Sequence, residues 1–432
     1  MPEPQTPLSE RPWEDVEQMI GVDDARERIL AAFSPLPAVS VPILDALDLV
    51  LAENVIADCD IPPFRNSAMD GYAVRAADTR RASVDTPVPL RVIAQLAAGY
   101  PANTVVRPGT AARIMTGAPL PDGADAVVRF EETVDQTSVP RLNGDRLDLV
   151  RVTRPCKQWD NVREAGEDVG VGETVLRAGT RIRAAEIGVL ASLNRATVAV
   201  HRRPVVAILS TGDEVIDLGP ELLPGQIRNS NSYLLAAMVR RLGAQPLMLG
   251  IARDALDDLT GRLRLAREAD LVVTSGGVSL GDYDMVKDVL RQHGEIAIWQ
   301  VRMKPGKPLA FGWLDKVPLL GLPGNPVAAA VSFEQFGRPA ILKMLGCRHL
   351  DMPVVVATLT EAVDNRGHRR HYVRALVEPS EDGFTVRPAG DQGAGVLMSL
   401  ARANGLLVVP EEKEVAAPGE RLTVQMIDWR LD

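Results

Sequence analysis

The sequence has little cysteine, few aromatic residues and no long apolar run. Its three cysteines, Cys59, Cys156 and Cys347, lie far apart without a CxxC pair or a His–Cys cluster, which excludes a disulfide framework and a cysteine-based zinc site. Aromatic residues make up 4% of the chain, so an aromatic platform for single-stranded nucleic acid is not expected. No apolar segment approaches the length of a membrane-spanning helix, and the first residues carry no secretion-signal pattern. We therefore expect a cytoplasmic protein that binds neither membrane nor nucleic acid.

The charge balance is acidic, within an ordinary globular composition. Apolar residues make up 46% and charged residues 24% of the 432 residues, and the net charge is −9. This length predicts about three domains at roughly 150 residues each. A general nucleic-acid binder needs a basic face, which this net charge disfavours, whereas a small anionic substrate needs only a locally basic site.

The N-terminal half predicts helices followed by a β-rich segment. Apolar spacing favours a helix from Trp13 to Phe33, and a second helix is expected from Pro42 to Val50. Short strands punctuated by proline and glycine fill residues 86–150. Before them, the turn at 66–71 crowds Asn, Ser, Asp and Gly together. Such a loop is either a strand entry or a surface that presents donors and acceptors to a ligand.

From Val198 onward, strands alternate with helices. Strands are expected near 205–209, 247–251, 271–273 and 296–301, with helices at 229–242 and 255–267 between them. Repeated β-α-β units imply a doubly wound parallel sheet with its site at the carboxyl ends of the strands. After Cys347, short strands with turns between them predict a small all-β C-terminal domain, either a barrel or a sandwich.

One stretch of this sheet is the best candidate for a ligand site. The apolar run Leu271–Val273 leads into Thr274-Ser-Gly-Gly277, and Ser279, Asp282 and Asp284 follow where the next helix should begin. Paired glycines let backbone amides approach an anion, and a helix start favours negative charge. The alternative is a tight turn capped by aspartate.

Further charged residues are predicted at the same sheet edge. Glu214, Asp254, Asp282 and Asp284 follow strand ends, and hard carboxylate oxygens suit Mg²⁺ shared with a phosphate. The loop Met303-Lys-Pro-Gly-Lys-Pro308 offers two compact positive charges to an oxyanion. Strand-end carboxylates often only cap helices, but their combination with a glycine-rich turn and two lysines favours phosphate chemistry.

Six motifs in one order give the sequence a family resemblance. They are Asn66-Ser-Ala-Met-Asp-Gly-Tyr-Ala-Val74, Arg113-Ile-Met-Thr-Gly-Ala118, Ser210-Thr-Gly-Asp-Glu214, Ser275-Gly-Gly-Val-Ser279, Lys304-Pro-Gly-Lys-Pro308 and Gly321-Leu-Pro-Gly-Asn-Pro326. From about residue 15 to the end, the chain resembles the molybdopterin molybdenumtransferases of the bacterial MoeA type, which also occur as the C-terminal domain of gephyrin.

The resemblance implies an activity and a multidomain α/β fold with β-rich domains. In the family, adenylylated molybdopterin and molybdate give molybdenum cofactor and AMP, with Mg²⁺ or a similar divalent ion. The implied domains are an N-terminal helical linking domain at 14–55 and 173–195, a β-rich inserted domain at 56–172, a doubly wound molybdopterin-binding domain at 196–350 and a C-terminal β-barrel-like domain at 351–432. A homodimer is also implied, with each active site between the doubly wound domain of one subunit and the β-rich domain of the other.

Roles for individual residues follow from the same resemblance. The implied catalytic residues are Asp70, Thr116, Asp168, Glu214, Asp254, Asp284 and Lys304. Of these, Asp254, Asp284 and Glu214 would also bind the metal ion. The residues that would hold the substrate's phosphate or nucleotide are Ser275, Gly276, Gly277, Ser279, Lys307, Pro323, Gly324 and Asn325. The adenylyltransferase of the preceding step and molybdoenzyme acceptors are the implied protein partners.

At two positions the sequence departs from the family pattern. Gln300 stands where many relatives carry lysine, and Ala394 stands where serine is common. Arg302 or Ser399 is able to compensate in the anion site.

Two other functions stay open at this point. The Ser275–Ser279 motif also marks molybdopterin adenylyltransferases, although those are usually one compact α/β domain. A non-catalytic carrier or scaffold for the cofactor is the second alternative, which the intact acidic set disfavours.

Overall fold

The structure is a computed structural model that describes residues 19–134, 149–253, 256–277 and 296–428. Its helices are α1 (Val22–Ala31), α2 (Ala76–Thr79), α3 (Ala184–Ser192), α4 (Ser230–Arg241), α5 (Leu256–Arg264), α6 (Pro326–Ser332), α7 (Arg338–Met344) and α8 (Leu397–Arg402). A 3₁₀ turn lies at Phe130–Glu132, and a π-helical segment at Phe333–Gly337 joins α6 to α7. None of the helices in this part of the chain has the length and apolar character needed to span a bilayer.

Strands make up most of the regular structure. In chain order they are β1 (Ala38–Pro42), β2 (Val55–Ile56), β3 (Asn66–Ser67), β4 (Gly71–Val74), β5 (Val88–Leu96), β6 (Thr110–Ile114), β7 (Ala126–Arg129), β8 (Thr133–Val134), β9 (Leu149–Val152), β10 (Val162–Arg163), β11 (Thr174–Leu176), β12 (Thr197–His201), β13 (Val205–Thr211), β14 (Val215–Ile216), β15 (Ile227–Arg228), β16 (Gln245–Ala252), β17 (Leu271–Ser275), β18 (Ile296–Gln300), β19 (Met303–Lys304), β20 (Pro308–Leu314), β21 (Val317–Leu322), β22 (Val354–Leu359), β23 (Val363–Asp364), β24 (Arg370–Ser380), β25 (Gly383–Pro388), β26 (Gly405–Val409), β27 (Val415–Ala416) and β28 (Arg421–Met426).

The described residues form two compact units. One contains the chain up to Ala52, Gly179–Ile182 and the chain from Val198, and the other contains Glu53–Ala178 and Arg183–Thr197. The four domain boundaries expected from the sequence stay a prediction.

The first unit contains the doubly wound sheet, in the strand order β16-β13-β17-β21-β20-β18. The first four strands are parallel, as predicted, whereas β20 runs antiparallel to both of its neighbours, β21 and β18. The reason is the connection between β20 and β21, which is only residues 315–316 long, and parallel neighbours need a much longer crossover. The carboxyl ends of four strands and the start of β20 therefore meet at one edge.

Apolar residues of β13 point alternately to two cores. Val206 and Ile208 lie in a core with residues of α1, α4 and α6, while Ala207 and Leu209 pack with Leu259 and other residues of α5 and its surroundings. Helices therefore cover both faces of the sheet, which confirms the doubly wound fold and explains why the strands are apolar on both sides.

The C-terminal strands close into a barrel in the order β24-β25-β22-β28-β26, because β26 pairs back to β24. This resolves the barrel or sandwich alternative in favour of the barrel. The short strand β19 pairs in parallel with the start of β24, in the register Met303↔Arg370 and Lys304↔His371.

The second unit is β-rich, as expected. Its main sheet has the order β7-β4-β6-β5-β9-β8, with a separate apolar core on each face. Strand β4 packs Tyr72 and Val74 into one core and Ala73 into the other. Asp70 immediately precedes β4, and Thr116 follows the end of β6, so the register of these two neighbouring strands sets their positions.

Two predicted helices differ from the structure. No helix occupies 42–50: Pro42 ends strand β1, and turns follow. Asp48 has a φ of +65°, which a right-handed helix does not allow. In place of a helix beginning at Trp13, the described helix α1 spans Val22–Ala31, with Gly21 as its N-cap. The first part of that prediction lies outside the described residues.

Candidate functional site

The glycine-rich turn at the end of β17 consists of Ser275, Gly276 and Gly277, which we call the cradle. Both glycines have left-handed backbones, with φ values of +94° and +67°. A Cβ on Gly276 would lie 2.8 Å from Thr211 Oγ1, so the turn has no room for a side chain there. Ser279 lies outside the described residues.

Asn231, in the first turn of α4, ties the cradle to the turn after β21. Its Nδ2 donates to Ser275 Oγ and to the Gly324 carbonyl, both at 2.7 Å. Ser275 Oγ in turn donates to the Pro323 carbonyl at 3.4 Å. The structure therefore brings Ser275, Gly276, Pro323 and Gly324 together, and a Cβ on Gly324 would touch the Gly276 Cα at 3.7 Å.

The start of α6 is held from the backbone. Asn325 is the N-cap residue and Pro326 is the first helical residue, but the exposed Asn325 side chain makes no capping hydrogen bond. The Val327 amide instead donates to the Ala394 carbonyl at 3.1 Å. Because this contact uses only the backbone of Ala394, it does not depend on whether residue 394 is alanine or serine.

Glu214 is the one predicted metal ligand that the structure describes. It is exposed just after β13, and its carboxylate folds over Gly212, where a Cβ would lie 2.8 Å from Oε1. Asp254 and Asp284 lie outside the described residues. Within the described ranges, no group of three or more His, Cys, Asp or Glu side chains is arranged to hold a metal ion.

Lys304 lies among other cations. Its side chain is half-buried in β19, beside strand β24 of the barrel. Burial, followed by repulsion from the Arg369 guanidinium, lowers the pKa of Lys304; Arg374 adds to this shift and Asp364 opposes it. We call Lys304, Arg369 and Arg374 the cation cluster. Burial alone lowers the pKa of Arg369.

Arg374 is completely buried and holds the loop before α8. Its Nε donates to Ser399 Oγ at 3.2 Å, and its Nη2 donates to the carbonyls of Asp391 and Gly393 at 3.3 and 3.2 Å. Its Nη1 has no hydrogen-bond partner. Burial lowers the pKa of Arg374 to about 10, and attraction by Asp391 partly opposes this. An orphaned guanidinium nitrogen is costly inside a protein unless a ligand satisfies it.

The two residues expected to compensate in the anion site are both bound by the protein. Ser399 Oγ also donates to the Val396 carbonyl at 2.7 Å, so this buried hydroxyl has two protein partners. Arg302 Nη2 donates to the Met19 carbonyl at 3.1 Å, whereas its buried Nε has no hydrogen-bond partner. The backbone carbonyl of Gln300 accepts from the Ile20 amide at 2.9 Å.

The lysine loop lies against α6. Gly306 has a φ of +104°, and a Cβ there would collide with Ser332 Oγ. Lys307 is half-buried, and its carbonyl accepts from the Val301 amide at 2.7 Å. Because β20 begins at the carboxyl edge of β21, this loop lies at the same sheet edge as Pro323 and Gly324.

In the second unit, the structure brings Asp70 and Thr116 together. Asp70 Oδ1 accepts from the Thr116 amide at 2.7 Å and from its hydroxyl at 2.9 Å, and these bonds lower the pKa of the exposed carboxyl. Asp168 is also exposed, and its amide donates to the Ile61 carbonyl at 2.9 Å. No hydrogen bond joins Asp168 to the Asp70–Thr116 pair.

Sequence reasoning missed Asn231, Arg369 and Arg374. It also missed His371, the register neighbour of Lys304 on β24. Two signals were present. The polar run Asn229-Ser-Asn-Ser232 opens a helix that follows a strand tip, and an arginine stands within the apolar run Tyr372-Val-Arg-Ala-Leu376. A charge inside a buried strand is rare without a specific partner.

Three family models match successive parts of the chain. The MoeA N-terminal region (domains I and II) matches residues 20–194, the probable molybdopterin binding domain matches 207–343, and the MoeA C-terminal region (domain IV) matches 356–427.

Known proteins match over nearly the whole chain. A molybdopterin molybdenumtransferase from Staphylococcus aureus is 34% identical, with 90% of this chain and 91% of the relative covered. A molybdopterin molybdenumtransferase 2 from Mycobacterium tuberculosis is 39% identical, with 89% and 94% covered. The solved molybdopterin biosynthesis MoeA protein of Pyrococcus horikoshii OT3 has a TM-score of 0.80 at 29% identity, covering 94% of this chain and 100% of that one. The chain therefore belongs to the MoeA-type molybdopterin molybdenumtransferases, which are enzymes of molybdenum cofactor biosynthesis.

Proposed function

We propose that this enzyme inserts molybdate into adenylylated molybdopterin and releases molybdenum cofactor and AMP. The observation that carries this proposal is the arrangement of the cradle and the cation cluster in the first unit. Asn231 joins the cradle to the turn at Pro323 and Gly324, and α6 follows that turn. At the start of α6, the Val327 amide donates to the Ala394 carbonyl, which belongs to the loop that Arg374 holds. A backbone site for a phosphate and a side-chain site for an oxyanion therefore belong to one connected set of contacts.

The cradle suits the phosphate of the pterin substrate. Left-handed glycines next to a strand end direct amides into a concave surface, and the neighbouring start of α6 adds its dipole. Ser275, Gly276, Gly277, Pro323, Gly324 and Asn325 are the described residues that we assign to this role, with Ser279 and Lys307 as further candidates.

The cation cluster suits molybdate. Lys304, Arg369 and Arg374 are three positive groups that form no ion pair with a carboxylate of the described residues, and Arg374 keeps one nitrogen without a partner. Burial penalises this arrangement unless an anion compensates the charges. A dianionic oxyanion with acceptor oxygens on every side provides that compensation.

The acidic residues suit a divalent metal ion. Glu214 is an exposed carboxylate at a strand tip, and hard oxygen donors of this kind are the ligands that Mg²⁺ prefers. Asp254 and Asp284 would complete the set. When bound, Mg²⁺ would neutralise charge at the phosphoanhydride and make AMP a better leaving group.

Asp70, Thr116 and Asp168 are proposed to act from a second subunit. Family resemblance supports this assignment, and the lowered pKa of Asp70 keeps its carboxylate ionised at neutral pH. A homodimer with shared active sites is therefore part of the proposal, as are a cytoplasmic location and contacts with the adenylyltransferase and with molybdoenzyme acceptors.

Release of AMP from adenylylated molybdopterin, measured with and without molybdate, tests the proposal. Molybdate-dependent, repeated turnover supports it. Formation of the adenylate from ATP and molybdopterin would instead assign the preceding adenylyltransferase step. Stoichiometric binding of the substrate without AMP release would assign a carrier function.

A further inference from the structure

His371 is a buried imidazole that lies inside the cation cluster. The side chain is only 2% exposed, and neither ring nitrogen has a hydrogen-bond partner within normal geometry. Its register neighbour on β19 is Lys304, and strand β26 flanks it on the other side through Val409. Burying a polar ring without a hydrogen-bond partner costs free energy, which a bound ligand would offset.

The charges around the ring have one sign. Burial first, and then Lys304, Arg374 and Arg369, lower the pKa of His371 to about 3, while the backbone of Asp364 partly opposes them. The Asp364 carboxylate near Lys304 is itself bound by the Arg366 amide at 3.0 Å. The ring is therefore neutral in the free protein at physiological pH, and one of its nitrogens is free to accept a proton.

We propose that His371 takes up a proton when a dianionic oxyanion binds beside the cation cluster, so that binding of the oxyanion and protonation are coupled. This inference rests on the oxyanion site of the proposed function. The entering dianion offsets the repulsion from the three cations and provides acceptor oxygens, so the charged ring becomes favourable. The proton comes from the solvent and binds the lone pair of the unprotonated ring nitrogen; no other bond changes.

The coupling has a defined sign. Affinity for the oxyanion should rise as pH falls below the pKa that His371 has in the complex, by up to about tenfold per pH unit. Above that pKa, affinity should not depend on this group. Lys304, Arg369 and Arg374 remain charged throughout this range, so they do not contribute to the uptake.

Calorimetric titration of the full chain with inorganic molybdate, at about pH 6 in two buffers of different ionisation enthalpy, measures the protons taken up. For the wild-type protein we expect uptake of up to about one proton per molybdate. His371→Gln should abolish the uptake, and His371→Asn provides a second variant if the first folds poorly. His349→Gln is the matched control, because His349 is exposed and has no part in the site, and this variant should retain the proton uptake. Sulfate, which stays a dianion in this range, serves as a second probe that cannot itself be protonated.

The possible outcomes distinguish failure of the role assigned to His371 from failure of the proposed oxyanion site. Molybdate binding without proton uptake, or uptake that survives both His371 substitutions, overturns the role of His371 and leaves the oxyanion site intact. In the second case, a group other than His371 takes up the proton. Absence of molybdate binding at any pH overturns the proposed oxyanion site and this inference together.

Discussion

Removal of the Lys304 ammonium group should raise the molybdate concentration that the enzyme needs. Lys304 is half-buried, and its charge is one of three that face the proposed oxyanion site. Molybdate must approach a substrate that already carries phosphate charge, and this repulsion is strong in a partly desolvated site. In the Lys304→Ala variant, Arg369 and Arg374 remain and compensate only part of it.

The size of the effect follows from the partial exposure of the side chain. Two unit charges about 4 Å apart near a protein surface interact by about 4 kcal/mol. Solvent reaches part of this side chain, so the appropriate scale is that of one hydrogen bond to a charged group, about 1.5–3 kcal/mol. We therefore expect the molybdate requirement to rise between about 10-fold and 100-fold, because 1.4 kcal/mol corresponds to a factor of 10.

Titrations of the variant with molybdate and with adenylylated molybdopterin measure the two requirements separately. Binding of the pterin substrate should change much less than the molybdate requirement. Lys304→Met retains the apolar stem and separates loss of charge from loss of packing. Lys316→Ala is the matched control, because this exposed lysine lies in the β20–β21 turn at the opposite edge of the sheet. If pterin binding collapses while the molybdate dependence stays unchanged, Lys304 binds the nucleotide phosphate and our assignment is wrong.

Three other predictions concern the metal, the dimer and acid stability. Asp284→Asn should preserve the fold and cut turnover by a large factor, and undiminished turnover in this variant or in EDTA would remove the metal from the mechanism. Mixing an Asp70→Ala chain with an Asp284→Ala chain should restore part of the activity, since one active site of the proposed heterodimer would be intact; no recovery after verified subunit exchange would contradict a shared site. The free energy of unfolding should fall as pH drops below about 6.5, by up to about 1.4 kcal/mol per unit, because unfolded His371 binds a proton that the folded ring, with a pKa near 3, does not. Denaturant titrations should find a smaller loss in His371→Gln, and an equal loss would mean that other groups cause it.

The sequence was sufficient for the parts of the fold that depend on local pattern. The apolar runs at 205–209 and 271–273 are strands buried on both faces, and a continuous apolar run predicts such a strand. The left-handed backbone of the paired glycines in the cradle is also a local property, because glycine adopts a positive φ without steric cost. The helix expected at 42–50 failed because Pro42 is equally suited to the end of a strand, and only pairing with β12 decides between the two.

The cation cluster was only partly predictable. Lys304 was found because its loop has a recognisable sequence, but His371 and Arg374 lie in β24 and Arg369 directly precedes it, more than sixty residues further along the chain. Nothing local to that strand says that it pairs with β19. Long-range strand pairing depends on the whole tertiary structure, and residues that converge through it have no short-range signal.

The two-residue strand β19 has a consequence for engineering this enzyme. Met303 and Lys304 lie in sequence among the strands of the doubly wound sheet, between β18 and β20, yet their hydrogen-bond register is set by the barrel strand β24. The C-terminal barrel is therefore not an interchangeable module. A chimaera that exchanges residues 351–428 for those of a relative would also replace the template on which Lys304 is aligned, and a shift of one position there would turn its ammonium group to the opposite side. Exchange of the barrel together with the 301–308 loop is the smallest graft that keeps both partners of the pairing.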